Sequence, residues 1–187
     1  MSISTQLFEG TLIRLGSLDS EQDANIEALW THEPGFMRLM YTEPMRPLSV
    51  FQVKKKHEAL EKEMEQEKNL FHFRFRTLTD DRLIGFGELR DISWSTLGGQ
   101  IRLGIGSPQD WRKGYGSEAL QLLLRYAFAE INLYRLTAVI PEYNQAAIRL
   151  FEKAGFTLEV RRRQALARDT RRWDALHYGL LAGEWKS

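Results

Sequence analysis

Residues 111–120 constrain the fold more than any other segment, because they form a short glycine loop that runs directly into an amphipathic helix. A helix that begins in this way presents unpaired backbone N–H groups and the positive end of its dipole. Gly114 and Gly116 let that backbone approach a ligand closely. Phosphate suits this geometry best. The segment therefore predicts a phosphate-binding loop and a phosphate-bearing cofactor.

Composition narrows the classes of protein that the chain can belong to. Its 187 residues suffice for one domain with a substantial core, and 26 basic against 25 acidic residues give a net charge of +1. That balance argues against binding nucleic acid or membranes through a global field. With no cysteine, disulfides, thiolate catalysis and cysteine-bound metals are excluded. Residues 1–6 lack the pattern of a secretory signal and no apolar run is long enough to span a membrane, so we expect a cytoplasmic protein.

The periodicity of apolar residues predicts a mixed α/β order. Strands are expected at 11–15, 71–76, 83–92, 99–105, 133–140, 156–160 and 173–181. Helices are expected at 19–32, 49–68, after the glycine loop, and at 144–154, with residues 31–47 as loop or broken helix. An arginine-rich connection is expected to join the last two strands. The strand–loop–helix–strand unit around the glycine loop should be parallel, with a right-handed crossover.

Taken alone, the glycine loop matches neither common nucleotide motif. The third glycine of the dinucleotide fingerprint is replaced by Ala119. The Walker pattern is absent because Lys113 precedes the glycines instead of following them. A purely structural loop is the alternative at this point.

The surrounding order of motifs resembles the acetyl-CoA-binding core of the GNAT N-acetyltransferases. A strand ends in Gly-Ser-Pro at 106–108, the loop reads Trp-Arg-Lys-Gly-Tyr-Gly at 111–116, Asn144 follows the next strand, and 150–156 reads Leu-Phe-Glu-Lys-Ala-Gly-Phe. The opening at 10–15 and the closing segments at 173–176 and 183–185 are similar to the branch of ribosomal-protein-alanine acetyltransferases. The resemblance therefore covers nearly the whole chain.

The resemblance implies one GNAT-like domain over residues 1–187. Its fold would be α/β, with a central mixed, mostly antiparallel sheet that splays at the cofactor cleft and is flanked by helices. The acetyl-CoA core would lie at about 99–160, and a region at about 19–70 would shape the acceptor pocket.

The family's cofactor contacts can be carried over position by position. The strand end would offer backbone groups to the pantetheine arm and an N–H to the thioester oxygen. The loop amides would bind the pyrophosphate, and the residue that opens the second helix would bond the pantetheine chain. The residues so implied are Ile105, Gly106, Ser107, Arg112, Lys113, Gly114, Tyr115, Gly116, Ser117 and Asn144.

The chain departs from the family pattern at two positions. Trp111 stands where the family prefers Arg or Gln, although Arg112 or Lys113 can still supply charge to a phosphate. Phe151 occupies the place of a tyrosine that, in many relatives, protonates the departing thiolate. Phenylalanine cannot donate a proton. Either water or another residue protonates the thiolate, or the reaction proceeds without a dedicated acid.

The acceptor must be a neutral amine to attack a thioester. At pH 7 an α-amine with a pKa of ~8 is roughly 10% neutral, whereas a lysine-type amine is below about 0.1% neutral. Glu88, on a hairpin strand between glycines, is the candidate general base. The alternative, which we favour, is a solvent-facing strand glutamate paired with Arg90 or a neighbour.

Two further groups of residues carry weaker signals. His32, His57, His72 and His177 lack metal-ligand spacing, so we interpret them as polar strand or surface positions and expect no metal. An arginine cluster offers an RNA or ribosome contact or a dock for an acidic substrate, but a solvated connection is the favoured interpretation. Its members are Arg161, Arg162, Arg163, Arg168, Arg171 and Arg172.

We therefore predict an acetyl-CoA-dependent N-acetyltransferase that acts by direct attack of a primary amine. The acceptor would be a protein N-terminal α-amine or a small-molecule amine. No membrane partner is expected, nucleic acid is disfavoured, and a homodimer is left open. Two alternatives remain: a catalytically reduced acyl-CoA-binding sensor and, less favoured, an RNA- or ribosome-associated protein.

Overall fold

The computed structural model describes residues 6–186. The prediction that residues 1–6 do not form a secretory signal concerns a segment of which residues 1–5 lie outside the described residues. In chain order the elements are β1 (Ile13–Gly16), α1 (Ser20–Trp30), α2 (Pro34–Met40), α3 (Val50–Glu67), β2 (Phe71–Thr77), β3 (Leu83–Ser93), β4 (Gly98–Ile105), α4 (Tyr115–Arg125), β5 (Arg135–Pro141), α5 (Gln145–Lys153), β6 (Thr157–Arg168) and β7 (Arg171–Leu181). None of the described helices is both long and apolar enough to cross a membrane.

The seven described strands form one sheet in the order β1-β2-β3-β4-β5-β7-β6. Neighbouring strands are antiparallel except β4 and β5, which are parallel as the motif order predicted. These two strands pair only through residues 98–100 of β4 and 135–137 of β5. Beyond Gln100 they diverge, so the sheet opens at its centre. The predicted α/β class and the splayed, mostly antiparallel sheet are confirmed.

Helices cover the sheet on both faces. On one face, the apolar stripe of α4 packs into the main core together with buried residues of β5 and β7. Leu120, Leu123 and Leu124 of α4, and Ala127 directly after it, are fully buried there. On the other face, Trp30, Phe36 and Met37 of α1 and α2 pack on β3. This arrangement leaves the central opening between two helical layers.

Capping residues fix the helix starts where the sequence places them. The Asp19 carboxylate accepts the N–H groups of Glu21 and Gln22 at the start of α1. Ser49 and Gln52 form a reciprocal capping box at the start of α3. The region at 31–47, expected to be loop or broken helix, contains the short helix α2, with Pro34 in its first turn.

The first strand is shifted relative to the prediction, beginning at Ile13 instead of residue 11. The backbone N–H groups of Thr11, Leu12 and Ile13 donate to the carboxylate of Glu118 on α4, at 2.6–2.8 Å. These bonds engage the N–H groups of residues 11–13, while the Leu12 carbonyl accepts the N–H of Leu78, directly after β2. The segment before β1 is thereby tied to the first turn of α4.

The prediction that an arginine-rich connection joins the last two strands is wrong. Strand β6 continues to Arg168, and β7 begins at Arg171, so the arginines lie on a long hairpin. Cross-strand pairing extends from Thr157 with Gly179 to Arg168 with Arg171. Charged residues are common on such edge strands, and pairing with β7 overrides their weak strand propensity.

Candidate active site

The loop before α4 holds a row of free backbone amides. Gly114 has φ +90°, and the first helical hydrogen bond runs from the N–H of Glu118 to the carbonyl of Gly114. The N–H groups of Tyr115, Gly116 and Ser117 therefore precede the intrahelical bonding pattern. Among residues 6–186, no side chain caps this helix start. An anion is the ligand that completes such a helix end.

A cavity of about 670 Å³ lies directly against this helix start. A Cβ built at Gly116 would have only Leu150 at 3.8 Å and Ile105 at 4.0 Å as close neighbours. The loop and its cavity therefore fit the pyrophosphate of a coenzyme. Basic side chains line the same cavity: Arg112, Arg149 and Lys153. Of these, Arg149 and Lys153 were not predicted, although their spacing of four residues places them on one face of α5.

The free edge of β4 forms another wall of this cavity. The N–H of Gly106 donates to the carbonyl of Ile84 in β3 at 2.9 Å. By strand alternation, the backbone groups of Leu103 and Ile105 then face the opening towards β5. The backbone of Gly106 was expected to contact the cofactor, but its N–H is bonded within the sheet. The Ser107 hydroxyl accepts the N–H of Gln109 at 3.3 Å.

Trp111, the first departure from the family pattern, ties the loop to the end of β4. Its indole Nε1 donates to the carbonyl of Ile105 at 2.8 Å. A Cβ at Gly35 in α2 would lie 3.2 Å from Cη2 of the same indole. The tryptophan therefore shapes the site through packing and supplies no charge, which leaves that role to neighbouring basic residues.

Asn144 lies where it was expected, at the start of α5, but its side chain is engaged. Its Oδ1 accepts the N–H of Ala147 at 3.1 Å, and its Nδ2 donates to the carbonyl of Leu39 at 3.2 Å. It thereby connects α5 to α2. One amide hydrogen remains for a bond to a cofactor.

A second cavity, of about 360 Å³, lies between the end of α2 and the diverging strands. It shares Leu39, Met40, Leu103, Asn144 and Phe151 with the first cavity. Phe151 is buried and packs edge-on against Phe156, with the ring centroids 4.9 Å apart. The position of the family's tyrosine is therefore at the junction of the two cavities, and here it carries no hydroxyl.

Glu88 lies beneath the second cavity and is 4% exposed. Its Oε1 is 3.3 Å from Nδ1 of His72, and its Oε2 is 2.9 Å from Nη2 of Arg102 and 3.5 Å from Nη1 of Arg90. Burial raises the pKa of Glu88, but the hydrogen bond to His72 and the charge of Arg102 outweigh it and lower the pKa. The solvent-facing alternative was wrong about exposure, whereas the pairing it assumed, with Arg90 and a neighbour, is present.

Arg102, which the sequence analysis did not name, contacts this carboxylate and two aromatic rings. The guanidinium of Arg102 lies over the rings of Tyr41 and Phe86, at 5.7 and 5.9 Å from their centroids. Burial, together with the carboxylates of Glu27 and Glu88, raises the pKa of Tyr41 to about 12. Burial also lowers the pKa of His72. The one sequence signal for the cluster of His72, Glu88 and Arg102 is the alternation of side chains along β2, β3 and β4, which places all three on the same face of the sheet.

The histidines do not converge. His57 bonds Glu27 and His72 bonds Glu88, on different parts of the sheet face. Across the described part of the chain, no three His, Asp or Glu side chains group as a metal site would require.

Two arginines of the predicted cluster are bound within the protein. Arg161 pairs with Glu142 and Asp174 at 2.9 and 2.7 Å. Arg168 donates to the backbone carbonyls of Arg38, Tyr41 and Thr42. The carboxylates of Glu142 and Asp174 offset the charge of Arg161. Arg168 keeps its charge and bonds to Tyr41 and Thr42, which line the second cavity.

The family model described as an acetyltransferase (GNAT) domain matches residues 13–157. The chain belongs to the GNAT acetyltransferase family. Acetyl-CoA is the acetyl donor that this family uses, in agreement with the cofactor that the resemblance implied.

Relatives of this GNAT chain include several bacterial N-acetyltransferases. A probable N-acetyltransferase of Bacillus subtilis, YjcK, is 38% identical over 105 residues, which is 54% of each chain. Spermidine N(1)-acetyltransferase of Escherichia coli K12 is 31% identical over 86 residues, 46% of each chain. The chain spans about half the length of the curated relatives it matches, at 48% and 54% for the first two. The relatives support the family, not specifically the ribosomal-protein-alanine branch.

Solved GNAT structures share the fold over almost the whole chain. Spermidine N-acetyltransferase from Vibrio cholerae, in complex with CoA and spermine, superposes with a TM-score of 0.79 at 20% identity, covering 94% of this chain and 98% of that one. A probable acetyltransferase gives a TM-score of 0.81 at 22% identity, covering 94% and 96%. At these identities the likeness concerns the fold alone.

Proposed function

We propose that this protein transfers an acetyl group from acetyl-CoA to a primary amine by direct attack. The observation that carries the proposal is the uncapped start of α4, open to a cavity that meets a second cavity at Phe151. One cavity would hold the coenzyme and the other the acceptor. Bound acetyl-CoA supplies an activated thioester. Holding both reactants at one junction then supplies much of the rate.

The binding of the coenzyme is divided between backbone and side chains. The amides of residues 112–117 would hold the pyrophosphate, with charge from Arg112, Arg149 and Lys153. The cleft-facing backbone of Leu103 and Ile105 would pair with the pantetheine amides. The N–H groups of Ile105 and Ser107 are the candidates to stabilise negative charge developing on the acetyl oxygen.

The chemistry needs little help from acid–base groups if the amine arrives neutral. The nitrogen forms a bond to the acetyl carbon, the carbon–sulfur bond breaks, and the sulfur leaves with the electron pair. The attacking nitrogen, which becomes cationic, releases one proton to water and so becomes a neutral amide. With Phe151 at the junction, the thiolate takes its proton from water. Glu88 is ion-paired and its pKa is lowered, so it is a weak base. This favours an α-amine or a small amine of low pKa over a lysine-type amine.

Two measurements test the proposal. Calorimetry should detect acetyl-CoA binding, and a thiol-release assay should then respond to at least one amine in a panel of peptides, amino acids and polyamines. Binding without release on any amine would favour the acyl-CoA sensor, which the ion-paired Glu88 and the absence of a hydroxyl at Phe151 also motivate. Absence of binding would overturn both.

A further inference from the structure

The second cavity is apolar apart from a few groups. Its lining includes aliphatic side chains of β4 and β5, such as Ile101, Leu103 and Val139, and the ring of Tyr41. The charged side chains lining it are Arg102 and Glu43. Glu43 is exposed in the loop after α2, whereas Arg102 projects from the floor of the sheet. The charged group on the sheet side of this cavity is therefore the guanidinium of Arg102.

Arg102 is held rigidly along one edge. Its Nε and Nη2 lie 3.1 and 2.9 Å from Oε2 of Glu88, and the rings of Tyr41 and Phe86 flank its plane. Its Nη1 has no hydrogen-bond partner within residues 6–186, and the side chain is 36% exposed. A planar guanidinium fixed in this way presents donors that match a carboxylate.

We propose that Arg102 binds a carboxylate of the acceptor, so that the acceptor is an amine carrying a carboxylate and an apolar body, such as an apolar amino acid. This inference rests on the proposed acetyl transfer and selects the small-molecule arm of it. The cavity of about 360 Å³ is within the range of small-ligand sites. Arg102 lines the second cavity, which shares Leu103 and Phe151 with the first, so a carboxylate bound to Arg102 keeps the acceptor in the cavity that meets the coenzyme site.

The same geometry disfavours a polycation as acceptor. The carboxylate of Glu88 is neutralised by Arg102 and Arg90, and that of Glu27 by Arg74 at 2.8 Å. No buried carboxylate among the described residues is left unpaired to receive an ammonium group. A polyamine entering this cavity would meet the charge of Arg102.

The test compares matched amines in the thiol-release assay. Leucine and phenylalanine are compared with their amides, their decarboxylated amines and spermidine. We expect kcat/KM for the free acids to exceed that for the amides by about tenfold or more, the value of one charged hydrogen-bonded contact. The amide has the more readily deprotonated amine, which makes this preference a demanding result. A preference for spermidine, or equal rates for acid and amide, would overturn the proposal.

Variants of Arg102 and Arg90 test whether the preference for the free acid over the amide depends on Arg102. Arg102→Met should reduce kcat/KM for the acid by about tenfold or more beyond any loss it causes for the amide. Arg102→Lys keeps an ion pair to Glu88 and should fold even if the methionine variant does not, yet it should still lose most of the preference. Arg90→Met is the matched control, because Arg90 pairs with the same Glu88 carboxylate but does not line the second cavity. This variant should keep the preference for the acid. Equal loss on acid and amide would make Arg102 merely structural.

Failure of acetyl transfer would remain distinguishable. If acetyl-CoA binds but no amine releases thiol, calorimetry of leucine against the CoA complex tests the carboxylate site directly. Binding that Arg102→Met abolishes and Arg90→Met retains would support the site without catalysis. Absence of leucine binding to the wild-type complex would refute it.

Discussion

At the scale of single residues, Gly116 is the loop position at which an added side chain tests the proposed coenzyme site. A Cβ there meets no atom nearer than 3.8 Å, so a side chain fits the protein itself. We expect Gly116→Val to weaken acetyl-CoA binding by well over about tenfold, because the branched side chain would enter the pyrophosphate's space. Calorimetry measures the affinity.

A glycine outside the cleft provides the control. Gly183 is exposed in a turn, and a Cβ there has no neighbour within 4 Å. Gly183→Val should therefore leave both folding and acetyl-CoA affinity unchanged. Unchanged affinity in a folded Gly116→Val protein would contradict the assignment of the loop.

Glu88 gives a second prediction at this scale. A general base would make Glu88→Gln strongly impaired at neutral pH and progressively less impaired as pH rises. Because the carboxylate is paired with Arg102 and its pKa is lowered, we expect a loss of turnover that is constant with pH. Turnover measured between pH 6.5 and 9.5 decides, and a loss that disappears at high pH would restore Glu88 as the base.

The residue scale also shows where sequence reasoning stops. The anion-binding loop was predicted because helix starts and glycines act locally. Pairing of Glu88 with Arg90 was predicted, but its contacts with His72 and Arg102 were not, because these come from β2 and β4, sixteen and fourteen residues away in the chain. Pairing across a sheet depends on register, and a shift of one residue would reverse every side chain.

At the scale of elements, the β6–β7 hairpin holds the end of α2. Arg168 donates to the carbonyls of Tyr41 at 2.9 Å, Thr42 at 3.2 Å and Arg38 at 3.3 Å. These carbonyls lie at and just beyond the C-terminal turn of the helix, where partners within the helix are missing. Tyr41 and Thr42 line the second cavity and not the first. The hairpin therefore positions the wall of the acceptor cavity.

We expect Arg168→Ala to raise the acceptor KM by about tenfold while acetyl-CoA affinity changes much less. Steady-state kinetics and calorimetry separate the two effects. Arg172→Ala is the control, since Arg172 is exposed on the same hairpin and makes no side-chain bond within the described range. Arg168→Lys should restore part of the affinity. An equal change in both affinities would indicate general loosening instead of positioning.

At the scale of the whole molecule, a buried charge network joins α1 and α3 to the sheet. Arg74 is 1% exposed and lies 3.4 Å from Asp23 and 2.8 Å from Glu27. Arg74→Met would leave both carboxylates undercompensated, so we expect it to lower the free energy of unfolding by about 3–5 kcal/mol. Urea denaturation measures this. Arg14→Met, which breaks the exposed pair with Asp81, should cost no more than about 1 kcal/mol.

The same network predicts an acid-sensitive fold. Burial raises the pKa of Glu27, but His57 and Arg74 lower it from 4.5 to about 2. Because the folded pKa lies below the unfolded value, the stabilisation is present above about pH 5 and is lost as pH falls towards 2. At about 1.4 kcal/mol per pH unit it amounts to roughly 3 kcal/mol. Glu27→Gln should flatten this part of the stability curve, and an unaltered slope between pH 5 and 3 would contradict the assignment.

The sequence by itself determined the properties that depend on neighbouring residues. These are the periodic helices, most of the strands, and the open helix start that follows the glycine loop. Each follows from local hydrogen bonding and from burial of one face. Motif order then sufficed for the GNAT family and its acetyl donor.

Only the tertiary structure decided the acceptor side of the site. The length of β6, the ion pairs of Glu88 and the hold of Arg168 on α2 arise between segments up to 130 residues apart. Such contacts depend on strand register and on which charges share a buried volume, and no local pattern specifies either. The amide loop identifies the acetyl donor, whereas the charge at Arg102 bears on which amine receives the acetyl group.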